Sequence, residues 1–377
     1  RPAALAVGGV SLWRDGLKGL YLQAEHKDNI RMDSITFLGT GTSQGIPMIG
    51  CRCTVCTSAD PRDQRLRCSA LIRYEGKTFL IDAGPDFRQQ MLREDIRHLD
   101  AILLTHNHKD HTGGLDDVRS FNYLEKRSFP IFCEAHVFES LRKEYYYVFQ
   151  DKPYPGAPEM DIHLITSLPF AIDGVPVTPI RAMHYKLPVL GFRFGGLAYV
   201  TDANYIPESE FEKLQGLDVF VLNTVKRGRH ISHYALEEAI EVCRRVGARR
   251  SFLTHLSHML PPHEALLDEL SSLPFRLEPA YDGLPLSWLT ESEAYGTVYR
   301  VAVRDIFHGR GLAGEMMQLA EDLTCGRGLA SIRLDTHVDN VGMRSLLERR
   351  GYTFCGVFQR PDAAGDGQRA AYEKRLT

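Results

Sequence analysis

The sequence lacks any apolar run long enough to cross a membrane. No stretch approaches the roughly 18 consecutive apolar residues of a spanning helix, and the brief run at residues 3–7 stops at Gly8 and Gly9. That run is also too short for a secretory signal, which needs a longer apolar stretch and a cleavage site. We therefore expect no membrane association and a cytoplasmic location.

A strong charge imbalance is absent as well. The 377 residues include 45 Lys and Arg against 48 Asp and Glu, a formal net charge of −3. Broad electrostatic attraction to nucleic acid is therefore not expected. Hydrophobic residues make up 44% and charged residues 25%, which is ordinary for a globular protein. The length exceeds that of one typical domain and indicates at least two.

The densest group of potential metal ligands is the stretch at residues 106–111, His-Asn-His-Lys-Asp-His. It follows an apolar run at residues 99–105, which is typical of a buried strand. Imidazole and carboxylate groups suit Zn²⁺, Mn²⁺ or Fe²⁺. The alternative is a polar surface loop, but the ligands begin where the strand ends. The stretch therefore predicts a metal site.

The spacing within this motif favours two ions. His106 and His108 can converge on one ion, while Asp110 and His111 can reach a second. A carboxylate can bridge two cations about 3.5–4 Å apart, the spacing used in two-metal hydrolysis. Three further candidate ligands lie beside apolar runs downstream, namely His184, Asp202 and His255.

The cysteines provide a second signal. Cys51, Cys53 and Cys56 form C-x-C-x-x-C, and three thiolates this close can bind one Zn²⁺ together with a fourth ligand. The alternatives are free thiols or a disulfide. The other cysteines lie in apolar surroundings and are expected to be reduced core residues: Cys68, Cys133, Cys243, Cys325 and Cys355.

Residues from about 35 to 284 resemble the metallo-β-lactamase superfamily, and in particular its PhnP-type phosphodiesterases. The resemblance rests on the Gly-rich opening at 38–47, the cysteine motif, Leu-Ile-Asp-Ala-Gly at 80–84, the H-x-H-x-D-H motif, and the segments around His184, Asp202 and His255. It implies an α/β (α+β) fold, an αββα sandwich with the metals at one edge of the two sheets.

The resemblance also implies specific ligand sets. The first ion would be held by His106, His108, His184 and Asp202, and the second by Asp110, His111, Asp202 and His255. A structural zinc ion would be held by Cys51, Cys53, Cys56 and His258. Asp82 is expected to orient a ligand imidazole or loop amides.

The function implied is a dinuclear hydrolase that uses Zn²⁺ or Mn²⁺. A metal-bridged hydroxide would cleave small or cyclic phosphodiesters, including a ribosyl 1,2-cyclic phosphate, to phosphomonoesters. Asp110 and His233 are the expected catalytic residues, because His233 fits the family's non-ligand histidine before a helix better than His230 does. A helix-capping or surface role for His233 is the alternative, and a homodimer is a further expectation.

Other hydrolases of this scaffold remain open, including an RNase Z-like nuclease and a thioester or lactam hydrolase. A nuclease of that kind should carry a long tRNA-gripping arm and a basic surface, and neither is evident in the sequence. Nucleic acid is therefore not an expected partner. The tyrosines at 145–147 fit either packing or base stacking.

The C-terminal region differs in character. A strand at 298–303, a glycine-containing loop, a helix at 315–325, a strand at 331–336 and a helix at 341–350 resemble the second half of a GNAT acetyltransferase. The likeness implies that the loop binds the pyrophosphate of acetyl-CoA at a helix N-terminus. The candidate acetyl-CoA residues are Gly309, Arg310, Gly311, Ala313 and Asn340.

Two departures count against N-acetyltransferase activity. Leu347 stands where that family usually has a tyrosine, and only about 14 residues separate Leu284 from the strand at 298. Residues 1–31 contain a candidate hairpin, at 5–12 and 19–23, but are too few to replace the missing half. The region could then be a remnant, a fused fragment or a misjoined reading frame. We expect three parts: an extension of unknown role (1–31), a hydrolase domain (32–286) and a partial GNAT-like domain (295–377).

Overall fold

The computed structural model describes residues 10–12, 20–23, 33–287, 296–298, 311–326, 331–359 and 368–376. The chain divides into two compact units. One, here called the terminal unit, combines Arg1–Asp33 with Leu289–Thr377, and the other, the central unit, is Ser34–Trp288.

The strands of the described residues follow in chain order: β1 (Val10–Leu12), β2 (Leu20–Gln23), β3 (Ser34–Gly39), β4 (Ser69–Tyr74), β5 (Lys77–Ile81), β6 (Ala101–Leu103), β7 (Phe129–Cys133), β8 (Met160–Leu164), β9 (Phe170–Ile172), β10 (Val175–His184), β11 (Leu187–Phe194), β12 (Leu197–Val200), β13 (Val219–Asn223), β14 (Arg250–Thr254), β15 (Leu277–Pro279), β16 (Pro285–Ser287), β17 (Gly296–Val298), β18 (Ser331–His337), β19 (Thr353–Gln359) and β20 (Gln368–Arg375). The α-helices are α1 (Phe87–Arg93), α2 (Lys109–Thr112), α3 (Arg119–Glu125), α4 (Ala135–Glu144), α5 (Leu236–Val246), α6 (His263–Ser271), α7 (Leu312–Cys325) and α8 (Val341–Arg349). Short 3-10 helices span Pro61–Asp63, Leu115–Val118 and Glu208–Leu214.

The central unit is a four-layered sandwich. One seven-stranded sheet has the order β16-β3-β4-β5-β6-β7-β8, and the other has the order β15-β14-β13-β12-β11-β10-β9. Fully buried aromatic side chains such as Phe37, Phe79, Phe192 and Phe252 fill the space between the two sheets. Apolar clusters that include residues of α1, α3 and α4 cover the outer face of the first sheet, and those of α5 and α6 cover the second. This arrangement confirms the predicted αββα fold.

Local sequence signals explain several of these elements. The pairing of Tyr74 with Lys77 leaves Glu75 and Gly76 as a two-residue turn between β4 and β5. Both turn residues have positive φ angles, 48° and 77°, which is the geometry of the turns that join tight hairpins. Glu75 and Gly76 therefore form the tight turn of a β-hairpin.

Helix α4 is shorter than the sequence predicts. The aromatic-rich segment at residues 136–149 predicts a helix over its whole length, but α4 ends at Glu144. The reason lies in tertiary contacts, because the hydroxyl of Tyr145 donates to the carbonyl oxygen of Thr112 at 2.8 Å and that of Tyr147 hydrogen-bonds to Asp116. Tyr145 is buried and Tyr146 is 63% exposed, so the first and third of the three tyrosines make internal contacts.

The terminal unit contains a six-stranded sheet in the order β1-β2-β17-β18-β20-β19. Its apolar cluster joins residues of this sheet to α7 and α8. Strands β1 and β2 pair with each other antiparallel, which confirms the predicted N-terminal hairpin, and β2 pairs antiparallel with β17. The N-terminal hairpin thus adds two strands to this sheet. Residues 299–303 of the predicted strand lie outside the described residues.

The ends of the central unit lie side by side. Ser34 in β3 pairs with Ser287 in β16, and in the terminal unit Gln23 pairs with Thr297. The central unit is therefore an insertion between two neighbouring strands of the terminal sheet. Among the described helices, none is long and apolar enough to cross a membrane.

Candidate metal centres

The motif residues lie where strands of the central unit end. His106 follows β6, Asp202 follows β12 and His255 follows β14. Strands β12, β13 and β14 are mutually parallel, so their carboxyl ends meet at one edge of the sheet. Asp202 and His255 have positive φ angles of 52° and 55°. Such conformations are rare for residues other than glycine and are concentrated at functional sites.

The structure brings all seven candidate ligands together in two groups. Within each group, one ligand atom per residue lies within 4.8 Å of those of the other members. The groups are His106, His108, His184 and Asp202, and Asp110, His111, Asp202 and His255.

Asp202 belongs to both groups, and its two oxygens face different partners. Oδ1 lies 3.1 Å from Nε2 of His255 and 3.3 Å from Nε2 of His111. Oδ2 lies 3.7 Å from Nε2 of His106 and 3.4 Å from Nε2 of His233. One carboxylate thus faces both groups, the arrangement of a bridging ligand.

Several imidazole nitrogens at this site have no hydrogen-bond partner among the described residues. Nε2 of His106, of His111 and of His255 is buried and has no such partner. Buried polar atoms are almost always paired, and three such nitrogens directed at carboxylates are the arrangement expected of ligands to a cation. The donor set therefore fits divalent metal ions.

The opposite ring nitrogens of His111 and His184 are held by orienting contacts. Nδ1 of His111 lies 2.6 Å from Asp82, whose carboxylate also accepts from the backbone of Thr105 at 2.8 Å. Nδ1 of His184 lies 2.7 Å from the carbonyl oxygen of Ser232. A proton on Nδ1 leaves Nε2 free to bind a metal. The predicted orienting role of Asp82 is confirmed by this geometry.

The electrostatics suit metal binding. Burial and the charge of His111 hold the pKa of His106 well below its usual value, and burial lowers the pKa of His184 to about 4. Burial raises the pKa of Asp202, but the charges of His255 and His111 outweigh it, and the net pKa lies well below the ordinary value. The pKa shifts of His106, His184 and Asp202 favour neutral imidazoles and an ionised carboxylate, the protonation states that bind metals. The pKa of His111 moves the other way: burial lowers it, but the charges of the neighbouring carboxylates outweigh burial and raise it well above the usual value.

His233 faces the site, whereas His230 supports the loop. The ring of His233 lies 4.5 Å from that of His184 and stacks at 4.9 Å on that of His255. Nδ1 of His230 instead accepts from the backbone N–H of Ser232 and of His233, each at 3.3 Å. Burial lowers the pKa of both histidines.

The nearby basic side chains are partly engaged elsewhere. Arg227 pairs with Glu269 and lies 3.7 Å from Glu237. These two carboxylates therefore hold the guanidinium group of Arg227.

The three cysteines and His258 also come together. Their ligand atoms lie within 4.8 Å of one another, with Nδ1 of His258 at 3.3 Å from Sγ of Cys51 and 3.5 Å from Sγ of Cys53. Backbone N–H groups of Met48 and Cys56 donate to the sulfurs of Cys56 and Cys53. All cysteines are free thiols, so the disulfide alternative finds no support, and the set fits one tetrahedral Zn²⁺.

One of the other cysteines departs from expectation. Cys68, Cys133, Cys243 and Cys355 are buried as predicted, but Cys325 is exposed. Cys325 is the last residue of α7, where a helix end reaches the surface although its neighbours are apolar.

The thiols of this cluster should differ in reactivity when zinc is removed. Hydrogen bonds from the backbone of Cys56 and from His258 lower the pKa of Cys53 to about 6, while burial raises the pKa of Cys56 to about 11. Because thiolates are the reactive form, iodoacetamide at pH 7.5 should modify Cys53 about tenfold faster than Cys56. Peptide mass spectrometry measures this, and equal rates would contradict it. Reloading with Zn²⁺ should protect both.

The candidate acetyl-CoA residues are only partly described. Gly309 and Arg310 lie outside the described residues. Gly311 precedes α7 with a φ of 79°, and Ala313 lies in its first turn. The side chain of Asn340 accepts from the backbone N–H of Met343 at 3.1 Å, so it caps α8. The described residues therefore present a helix N-terminus but no further part of the proposed loop.

Sequence reasoning missed some supporting groups. The carbonyl of Ser232 that orients His184 carries no side-chain signal, and the ion pair between Glu134 and Arg181 joins residues far apart in sequence. Thr105, whose Oγ1 lies 2.9 Å from Nδ1 of His106, could have been found because it directly precedes the motif.

Comparisons with known proteins agree with this geometry. Residues 77–256 match the β-lactamase superfamily domain, and residues 277–352 match the acetyltransferase (GNAT) family. An octanoyltransferase of Porphyromonas gingivalis is 42% identical over 250 residues, which cover 66% of this chain and 50% of that protein. The chain thus spans about half the length of this relative.

Solved structures give the same picture. A diphosphatase from the PhnP family is 35% identical with a TM-score of 0.62, covering 72% of this chain and all of that one (100%). Zn²⁺-bound PqqB from Methylobacterium extorquens is 20% identical with a TM-score of 0.55, covering 67% of this chain and 99% of its own, a likeness of fold alone. The chain therefore belongs to the metallo-β-lactamase superfamily of enzymes, joined in one polypeptide to a segment of the GNAT acetyltransferase family.

Proposed function

We propose that the central unit is a dinuclear metal-dependent phosphodiesterase acting on small or cyclic phosphodiesters. The observation that carries this proposal is the sharing of Asp202 between two groups of ligand atoms, beside unpaired imidazole nitrogens. The 35% identity to a PhnP-family diphosphatase supports phosphoryl chemistry on this scaffold. Zn²⁺ or Mn²⁺ would fill both positions, and a structural Zn²⁺ would bind Cys51, Cys53, Cys56 and His258.

The proposed mechanism assigns the following roles. Bound at these two groups, divalent ions would polarise the phosphoryl oxygen and lower the pKa of the attacking water. Asp110 keeps 13% of its side chain exposed, so its carboxylate can accept the proton of that water. The water oxygen bonds to phosphorus as the P–O bond to the leaving group breaks. His233 then donates a proton to the leaving alkoxide, and the product is a phosphomonoester.

The test uses metal-reconstituted protein. Apo protein should regain turnover of bis(p-nitrophenyl) phosphate with Mn²⁺ or Zn²⁺, and Asp110→Ala should abolish it. His233→Ala should slow an alkyl phosphodiester about 10²-fold or more, as removal of a general acid does. The loss should be far smaller for p-nitrophenolate, which leaves without a proton. A dinucleoside diphosphate is tested as a second substrate. If the protein cleaves it but no phosphodiester, the activity is that of a diphosphatase and the proposal is wrong.

For the terminal unit we propose acetyl-CoA binding. Support comes from the match of residues 277–352 to the GNAT family and from the β1–β2 hairpin that extends the sheet beyond β17. The N-terminus of the 14-residue helix α7 offers backbone N–H groups to a pyrophosphate. Calorimetry with acetyl-CoA tests this, with coenzyme-free buffer as the blank, and no heat at millimolar ligand would refute it.

A further inference from the structure

Helix α4 and the residues that flank it contact both metal-bearing segments of the central unit. The helix follows β7, which neighbours β6, the strand leading into the motif. Glu134, Ser140, Glu144 and Tyr145, here called the α4 brace, provide these contacts. The proposed mechanism gives no role to any of them.

On the motif side, the contacts fall between the candidate ligands. Asn107, between His106 and His108, donates from Nδ2 to Oγ of Ser140 at 2.7 Å. Lys109, between His108 and Asp110, forms an ion pair with Glu144.

A third contact lies just beyond the motif. Thr112 follows His111, and its carbonyl oxygen accepts from the hydroxyl of Tyr145 at 2.8 Å. Tyr145 is only 5% exposed, so this hydrogen bond is shielded from water and strong relative to a surface contact. Oγ1 of Thr112 donates in turn to the carbonyl oxygen of His108 at 3.0 Å. The helix and Tyr145 thus contact the motif through Asn107, Lys109 and Thr112, none of which is a candidate ligand.

On the other side, the brace contacts strand β10. Glu134, the residue before α4, forms a bidentate pair with Arg181 at 2.6 and 2.7 Å. The two side chains are 13% and 21% exposed. Arg181 lies three residues before His184 on β10. Bidentate, partly buried pairs of this kind fix geometry more tightly than exposed pairs do.

Both segments contribute to the same ligand group. His106 and His108 come from the motif, whereas His184 comes from β10 in the other sheet. We propose that the α4 brace sets the distance between these two segments and thereby the affinity of the first metal position. Its members are positioning residues, and the inference rests on the proposed metal-dependent function. A loosened brace would let the motif and His184 move apart without removing any ligand.

The test is a stepwise Co²⁺ titration of the full-length apo protein, followed by visible absorption and calorimetry. Charge-transfer bands of thiolate–Co²⁺ identify the cysteine site separately. Tyr145→Phe and Glu134→Gln should each weaken binding at the His106–His108–His184 position about 10- to 100-fold, the usual effect of losing an outer contact to a metal site. In loaded enzyme, kcat should fall while KM stays within twofold.

Matched controls come from the same helix region. Tyr146→Phe alters the exposed neighbour of Tyr145, and Glu139→Gln removes a surface pair with Arg142. Both should leave Co²⁺ affinity unchanged. If the other brace variants fold poorly, Ser140→Ala replaces them: it removes the hydrogen bond from Asn107 and one from Ser140 to the carbonyl oxygen of His136, and it should weaken Co²⁺ binding.

The outcomes separate the two proposals. If wild-type protein binds no Co²⁺ outside the cysteine site, the proposed function fails. If wild-type protein binds two such ions and the brace variants bind them with unchanged affinity, the metal centre stands and the brace is refuted. A lower melting temperature with unchanged affinity would likewise show a merely structural role.

Discussion

Replacing Asp202 with Asn should abolish metal-dependent catalysis. The side chain is 1% exposed and faces both ligand groups, one through each oxygen. An amide keeps one oxygen but presents an NH₂ group, which cannot bind a cation, to the other group. We expect loss of at least one metal per chain by elemental analysis, and a fall in kcat/KM of about 10³-fold or more.

Asn is a more informative replacement than Ala because residue 202 has a left-handed backbone conformation. Asp202 has a φ of 52°, and Asn tolerates this region far better than Ala does. Asp95→Asn is a matched control, since Asp95 also has a positive φ of 48° and is exposed at the surface. A variant at Asp202 that retained both metals and activity within threefold of wild type would contradict the bridging role.

Removing the cysteine site should destabilise the protein while sparing the catalytic metals. The segment around Cys51–Cys56 has only a small apolar cluster of its own, centred on Ile46, Val55 and Cys56. Metal binding there would contribute directly to folding, because the proposed ligands are not assembled in the unfolded chain. For Cys53→Ser we expect about 4 kcal/mol of lost stability and a fall in Tm of about 10 °C.

Two measurements check this second expectation. Scanning calorimetry gives the change in Tm, and elemental analysis should show one zinc ion fewer with the catalytic pair retained. Cys325→Ser is the control, because Cys325 is an exposed cysteine outside the cluster. Loss of the catalytic metals together with the zinc would show that the two sites are not separable. An unchanged Tm would refute the structural role.

The candidate ligands were predictable because their signals are local. His106, Asp202 and His255 each follow an apolar run, and a strand that ends at a sheet edge presents its next residues there. The resemblance to a known superfamily then grouped them, and the geometry matches that grouping.

The features that could not be predicted from the sequence depend on contacts between residues far apart in the chain. The early end of α4 reflects a hydrogen bond from Tyr145 to Thr112, 33 residues away, which no helical periodicity encodes. The pairing of β2 with β17 spans the whole central unit, so a short N-terminal segment gave no sign of its partner. Cys325 was taken as buried because its neighbours are apolar, but α7 ends there at the surface.

The nested arrangement of the two units has a consequence for biosynthesis. Strand β2 is synthesised long before its partner β17, so the two strands cannot pair until the intervening chain has been translated. Once the central unit folds, the pairing of Ser34 with Ser287 brings its two ends together. The chain that separates Gln23 from Thr297 then behaves as a short loop, and the entropic cost of closing it falls. We therefore expect the central unit to fold before the terminal sheet is completed, although β2 is synthesised first.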